Sequence, residues 1–321
     1  MPLVDMPLEK LLTYTGKNPR PDDHDAYWER ALKEMHSIDP KVELKKAAFQ
    51  TPFAECYDLF WTGVGGARIH AKFVKPKQTL SAKSPAIAQF HGYSGNAGEW
   101  HGLLNQAARG YYIASMDCRG QGGSSEDAGS VKGTTHHGHI IRGLDDPNPD
   151  KMLFRNIFLD TAQLCRILMD MPEIDEKRVG AMGGSQGGAL TLAAAALEPR
   201  VARAASTFPF LCDYQRVWEM DLAKDAYGEL KTYFRHFDPQ HKREKEIFTK
   251  LGYIDIQYLA PRIKGEVLMG VGLIDTICPP STQFAAYNKM TCKKRYELFP
   301  DFGHEGLPGF GDIVYEFMGG L

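Results

Sequence analysis

"GAMGGSQGGAL", residues 180–190, sets one serine, Ser185, between Gly183-Gly184 and Gln186-Gly187, directly after a short apolar run. A glycine-rich turn and a serine held in a strained corner both fit that stretch alone. What lies on either side decides between them. "RVGAM" before it reads as a short buried strand, and "GALTLAAAAL" after it as an alanine-rich helix with Pro199 beyond its end. A serine on a sharp strand-to-helix turn, flanked by small residues that let strand and helix approach closely, is placed to act as a nucleophile. The helix N-terminus adds unpaired N–H groups and the positive end of a dipole.

Outward from this turn, β-rich runs alternate with helical patterns. "CYDLFWTGVGGARIHAKFVKP" reads as two strands joined by a glycine turn, and "PAIAQFHGYSG" (85–95) as a buried strand running into a loop. A helix near "EWHGLLNQAARG" ends at Gly110, and "YYIASMDCRGQG" is the next strand and loop. From Met152 to Met171 apolar residues recur at helical spacing (Leu153, Ile157, Leu164, Leu168), and Pro172 stops the pattern. "VARAASTFPF" and "GEVLMGVGLID" are further strands, "RYELFPDFGHEG" supplies the last one, and a C-terminal helix follows. Such alternation, with near-continuous apolar strands, predicts an α/β fold: a mostly parallel central sheet with helices on both faces. Residues 1–321 are expected to form a single domain. It has an N-terminal extension with a helix (1–40) and a mostly helical insertion (211–262).

Composition narrows the function classes. The chain has 321 residues, 43% hydrophobic and 24% charged, with a formal net charge of −2. That balance offers no basic footprint for nucleic acid or anionic membrane. No apolar run approaches the roughly 18 residues of a membrane span, and the first residues lack the charge pattern of a signal peptide. Six scattered cysteines with no CxxC pair are expected to be reduced thiols. The expectation is a soluble cytoplasmic protein.

A serine hydroxyl needs a base, and in the α/β-hydrolase fold the partners follow in the order serine, acid, histidine. His304, in the loop after the last strand, is the only histidine after His241. Asp275 ends the strand before it, in "GLIDTICPP". Asp301 lies too near His304 in sequence to orient its far ring nitrogen, and Asp255 falls inside the helical insertion. Ser185, Asp275 and His304 are therefore the candidate catalytic residues. The backbone N–H groups of Gln186 and Tyr93 are the candidate oxyanion donors, Tyr93 coming from the loop "HGYSG"; its ring can also pack over the pocket. Tyr93, Phe208 and Phe210 are candidate substrate-binding residues, although aromatics at this density more often build core or interface. "HHGH" (His136, His137, His139) has no acidic or thiol partner at a metal-site spacing, so it reads as a solvated loop and no metal site is expected. "GVGG" at 63–66 is a hairpin turn, and Cys278 a small buried hydrophobe.

On these residues the chain resembles the acetyl xylan esterase and cephalosporin C deacetylase family, carbohydrate esterase family seven. "GGSQGG", "RGQGG" (Arg119 to Gly123), His304-Glu305 and "LLTYTGKNPRPDDHDAYWER" carry the likeness, which extends over essentially the whole chain. The resemblance implies removal of acetyl groups from small acetylated sugars, notably xylo-oligosaccharides, and from cephalosporin C. It also implies no metal or organic cofactor, and a cytoplasmic homohexamer. Arg119, Gly120 and Gln121 would support the active-site region. Two other readings compete. A broader carboxylesterase would accept longer acyl groups, and a catalytically silent binding protein would have lost part of the triad or the oxyanion loop.

Overall fold

The computed structural model describes residues 4–79, 81–129 and 138–321. Nine strands form one sheet: β1 (Glu43–Lys46), β2 (Ala54–Thr62), β3 (Arg68–Pro76), β4 (Ser84–Phe90), β5 (Tyr112–Met116), β6 (Ile174–Gly184), β7 (Arg203–Thr207), β8 (Glu266–Gly272) and β9 (Lys294–Phe299). Their spatial order is β1-β2-β3-β5-β4-β6-β7-β8-β9. The pairs from β1 to β3, and β3 with β5, are antiparallel; every pair from β5 to β9 is parallel. With helices packed on it, this is the doubly covered α/β-hydrolase sheet that the alternation predicts.

Strand β4 is the pivot. The chain passes from β4 to β5 on one side and later returns through β6 on the other, with Phe90 level with Gly183. Such a reversal of strand order opens a crevice at the carboxyl ends of the strands. The loops starting at His91 and Ser185 leave side by side there.

The helix Gln186–Leu197 follows the turn, and every one of its residues is buried. It packs close because its side chains are mostly small. At Gly187 the approach leaves no alternative: a Cβ there would stand 2.1 Å from the Phe90 carbonyl oxygen. The helix Leu153–Asp170 occupies the span that the apolar stripe predicts and ends before Pro172.

Residues 211–262 carry the helices Tyr214–Glu219, Gly228–Phe237, Glu244–Leu251 and Ile256–Leu259. Their aromatics are core: Tyr214, Tyr227, Tyr233 and Phe234 are all buried. The N-terminal segment, with its helix His24–His36, is fastened to this region through buried polar groups. Asp213 accepts hydrogen bonds from the Tyr14 hydroxyl (2.7 Å) and from the backbone N–H of Lys17 (3.1 Å) and Asn18 (2.8 Å). Trp28 is fully buried and donates to the Tyr253 carbonyl at 2.9 Å. All six cysteines are free. No helix among the described residues is long and apolar enough to cross a membrane.

Candidate active site

Ser185 takes φ 58° and ψ −120° between the end of β6 and the first turn of the next helix. A non-glycine residue held there costs about 1–3 kcal/mol, so the surroundings must over-determine it. They do so through the end of β7 and the residues just after it: the Ser185 N–H donates to the Thr207 carbonyl (3.0 Å), and its carbonyl accepts from the Phe210 N–H (3.0 Å).

The loop after β9 brings His304 to this corner. His304 Nε2 lies 2.9 Å from Ser185 Oγ, and His304 Nδ1 lies 2.8 Å from Asp275 Oδ2. Asp275 is fully buried. Its other oxygen accepts from the backbone N–H of Ile277 and Cys278, both at 2.8 Å, so the carboxylate is fixed from both sides. The two competing aspartates are elsewhere: Asp301 is exposed, and Asp255 is committed to the Asp213 and Gln257 N–H groups.

The side chains of Asp275, Cys278 and His304 place a possible metal-donor atom each within 4.8 Å of one another. Two of the three are already engaged. Asp275 and His304 hold each other and Ser185, while burial pushes the Cys278 thiol far above its ordinary pKa and keeps it protonated. The geometry is that of a hydrogen-bonded serine, histidine and aspartate with a neutral thiol beside them.

The loop after β4 and the loop after β5 are tied to the residue following Ser185. Gln121 and Gln186 pair reciprocally through their side-chain amides at 2.9 and 3.0 Å, and Gln121 Oε1 also accepts from the Ser94 N–H at 3.0 Å. Arg119 is buried and forks onto Asp160 with bonds of 2.5 and 2.8 Å, while its Nη1 donates to the Val64 carbonyl at 2.7 Å. Burial opposes its charge, but the Asp160 carboxylate outweighs burial and holds the guanidinium protonated. Gly120 (φ 61°) makes the turn between the two side chains. The "RGQ" run thus spans from the hairpin turn at Val64 to the Ser185 corner.

Phe208, at φ 31°, lays its ring 4.4 Å from the His304 ring. Phe210 is buried, its ring packed between Tyr227 (4.2 Å) and Tyr93 (5.7 Å), so it meets the site through Tyr93. His139 corrects the sequence expectation of a solvated loop. Its ring is half-buried against Tyr93 at 4.8 Å, its Nε2 lies 3.1 Å from Ser94 Oγ, and its N–H donates to the Tyr93 hydroxyl. A residue that packs on an aromatic ring gains more than one left in water. His136 and His137 lie outside the described residues.

One cluster has no motif to announce it. His70 on β3 sits between two carboxylates, Nδ1 2.6 Å from Asp117 and Nε2 3.0 Å from Asp58. Asp117, just past β5, also accepts from the Ala97 N–H (2.6 Å) and the Ser124 N–H (2.8 Å), one from each loop beside the site. Gly123 is packed so tightly on this carboxylate that a Cβ would fall 2.0 Å from it. Burial alone lowers the His70 pKa, but Asp117 and Asp58 outweigh it and raise the value above 6.5. The folded state therefore binds this proton more strongly than the unfolded one, and its stabilisation is complete below pH 6.5 and is lost as pH rises through the raised value. The Tm advantage of wild type over His70→Gln is expected to be largest below pH 6.5 and to shrink on alkalinisation. An advantage independent of pH across that range contradicts the charged assignment.

With this geometry in view, the comparisons are specific. The chain matches the acetyl xylan esterase family over residues 1–321. It belongs to that family. The family is one of carboxylic ester hydrolases. An acetyl xylan esterase from Thermoanaerobacterium sp. JW/SL YS485 is 62% identical, with a TM-score of 0.96 and 98% of each chain covered. An acetyl xylan esterase from Paenibacillus sp. R4 is 34% identical, with a TM-score of 0.93, covering 98% of this chain and 99% of its own. A curated relative, the acetyl esterase Axe7A of Xylanibacter ruminicola, is 28% identical over 303 residues, 91% of this chain; the chain spans 64% of that relative's length.

Proposed function

We propose that this member of the acetyl xylan esterase family is a serine esterase that removes acetyl groups from small acetylated substrates through an acyl-enzyme on Ser185. The observation that carries the reading is the continuous hydrogen-bonded chain Ser185–His304–Asp275, mounted on the strained turn that exposes a nucleophile.

His304 Nε2 takes the Oγ proton as Ser185 attacks the acetyl carbonyl, and Nδ1–H donates to Asp275, which holds the tautomer and stabilises the imidazolium. The oxyanion accepts from the N–H groups of Gln186 and Tyr93. The Gln121–Gln186 pair and the Ser94 bond keep those donors in register. When the carbonyl re-forms, the bond to the alcohol breaks, and the alcohol leaves with the proton from His304. A water then loses a proton to His304, attacks the acetyl carbon, and releases acetate and the free serine hydroxyl. Phe208, with its ring 4.4 Å from that of His304, is the residue assigned to contact the acyl group.

The two solved relatives are described as acetyl xylan esterases; acetylated xylo-oligosaccharides and the acetyl of cephalosporin C as substrates here follow from the family resemblance. That resemblance also brings a homohexamer and a cytoplasmic location into the reading. Hydrolysis of p-nitrophenyl acetate, butyrate and octanoate tests it. Acetate is expected to turn over fastest, with a steep fall as the acyl chain grows. Octanoate turned over as fast as acetate would leave an esterase of broad specificity in place of a deacetylase.

A further inference from the structure

A cavity of about 250 Å³ lies against the Tyr93 loop, and the reaction described above does not use it. Tyr93 and Ser94 form one wall, Gly138 and His139 a second, and Asp225 and Glu229 a third. We infer that this cavity binds the sugar from which the acetyl group is removed, a conclusion that rests on the deacetylase reading of the neighbouring triad.

Position is the first argument. An acetyl group is small, so most of such an ester lies on its alcohol side. Tyr93 belongs both to this cavity and to the loop bonded through Gln121 to Gln186, the residue after Ser185. A carbonyl held beside the Tyr93 loop therefore directs its alcohol portion along that same loop.

Chemistry is the second. Sugar hydroxyls donate and accept at once, and ring C–H faces pack on aromatic rings. The walls supply the Ser94 hydroxyl, the His139 imidazole 3.1 Å from it, and the Tyr93 ring. Burial, with His91 and Arg142 nearby, pushes the His139 pKa down to about 4, so the imidazole is a neutral donor and acceptor at ordinary pH. Glu229 is buried, and one of its oxygens accepts from the Ile140 N–H (2.7 Å) and the Ile141 N–H (3.1 Å). Its other oxygen, Oε1, has no partner, which in a folded protein calls for a reason. Burial raises this carboxyl to about 7, so it too can donate or accept near neutrality.

Backbone strain is the third. Ser94 (φ 57°) and Asp225 (φ 48°) are both non-glycine residues in the left-handed region, facing one cavity from the loop after β4 and from the start of a short helical turn. Strain of this kind persists where the surroundings hold a site in shape. The volume is that of roughly eight waters at about 30 Å³ each, room for a pentose ring and its hydroxyls. The larger cavity of about 510 Å³ on the Phe208 side has a mixed lining, with Gln89, Asn105 and Gln106 beside Met182, Leu307 and Phe310, and no residue of the Tyr93 loop borders it.

The test uses two esters with the same acyl group, p-nitrophenyl acetate and mono-acetylated xylobiose, on wild type, His139→Ala and Asp225→Ala. Asp225 is exposed, so its replacement removes no core packing, and thermal unfolding checks that each variant stays folded. For each variant kcat/KM on the xylobiose ester is expected to fall about tenfold, chiefly through KM, the size of a lost hydrogen bond. On p-nitrophenyl acetate it should stay within about twofold. Equal losses on both esters, or no loss on either, overturn the subsite and leave the esterase standing. Wild type active on p-nitrophenyl acetate alone also overturns it. Wild type inert on both overturns the deacetylase reading together with the subsite.

Discussion

Replacing Ser185 by alanine lowers kcat on p-nitrophenyl acetate by roughly 10⁶-fold, the scale seen when a triad nucleophile is removed. The loss is this large because nothing else at the corner can attack. The Cys278 thiol is buried and held protonated, and the His304 ring is committed to Asp275. A residual rate survives, since oriented N–H donors polarise the ester for attack by water. Stability changes little, because the substitution removes one hydrogen bond, worth about 1 kcal/mol, and leaves the bonds to Thr207 and Phe210 that fix the backbone. Steady-state kinetics alongside thermal unfolding check both halves. A variant that keeps a tenth of the wild-type rate contradicts the assignment of the nucleophile.

Asp275→Asn is expected to cost about 10⁴-fold in kcat with KM nearly unchanged. Asparagine fits the same space, and its oxygen can still accept from the Ile277 and Cys278 N–H groups. Its NH₂ then faces His304 Nδ1, which must present a lone pair. The ring proton moves to Nε2 and points at Ser185 Oγ, so the imidazole can no longer take the serine proton. The cost comes from the tautomer, with the geometry intact. A fall of tenfold or less would mean that His304 is oriented by something other than Asp275.

Most of the path to these residues is visible in the chain, because it is local. The strand, glycine and helix patterns around Ser185 sit within a dozen or so residues. The order serine, acid, histidine follows from one strand end after another, and the structure brings all three together. Arg119 and Gln121 could be placed near the site by resemblance, but their partners could not be named. Asp160 and Gln186 meet them only across the fold.

What stayed hidden depends on long-range contact. His70, Asp58 and Asp117 lie on three different strands or strand ends and share no spacing rule, yet they clamp the two loops beside the site. β1 carries no strand signal, because "ELKK" is a charged, largely exposed edge with no alternation of apolar residues. A cluster such as "HHGH" looks solvated until the Tyr93 ring is seen to cover His139. Asp213 reads as an ordinary loop acid, although it carries the N-terminal segment on three donors.

The central claim is that Ser185 is the group that becomes acylated. A small organophosphate ester such as diethyl p-nitrophenyl phosphate, which transfers a stable phosphoryl group to an activated serine, tests it most directly. Intact-mass measurement and peptide mapping should find one adduct per chain, on Ser185, accumulating in proportion to the loss of p-nitrophenyl acetate hydrolysis and absent from His304→Ala. Full inactivation with the label on another residue, or full activity with Ser185 labelled, would contradict the account.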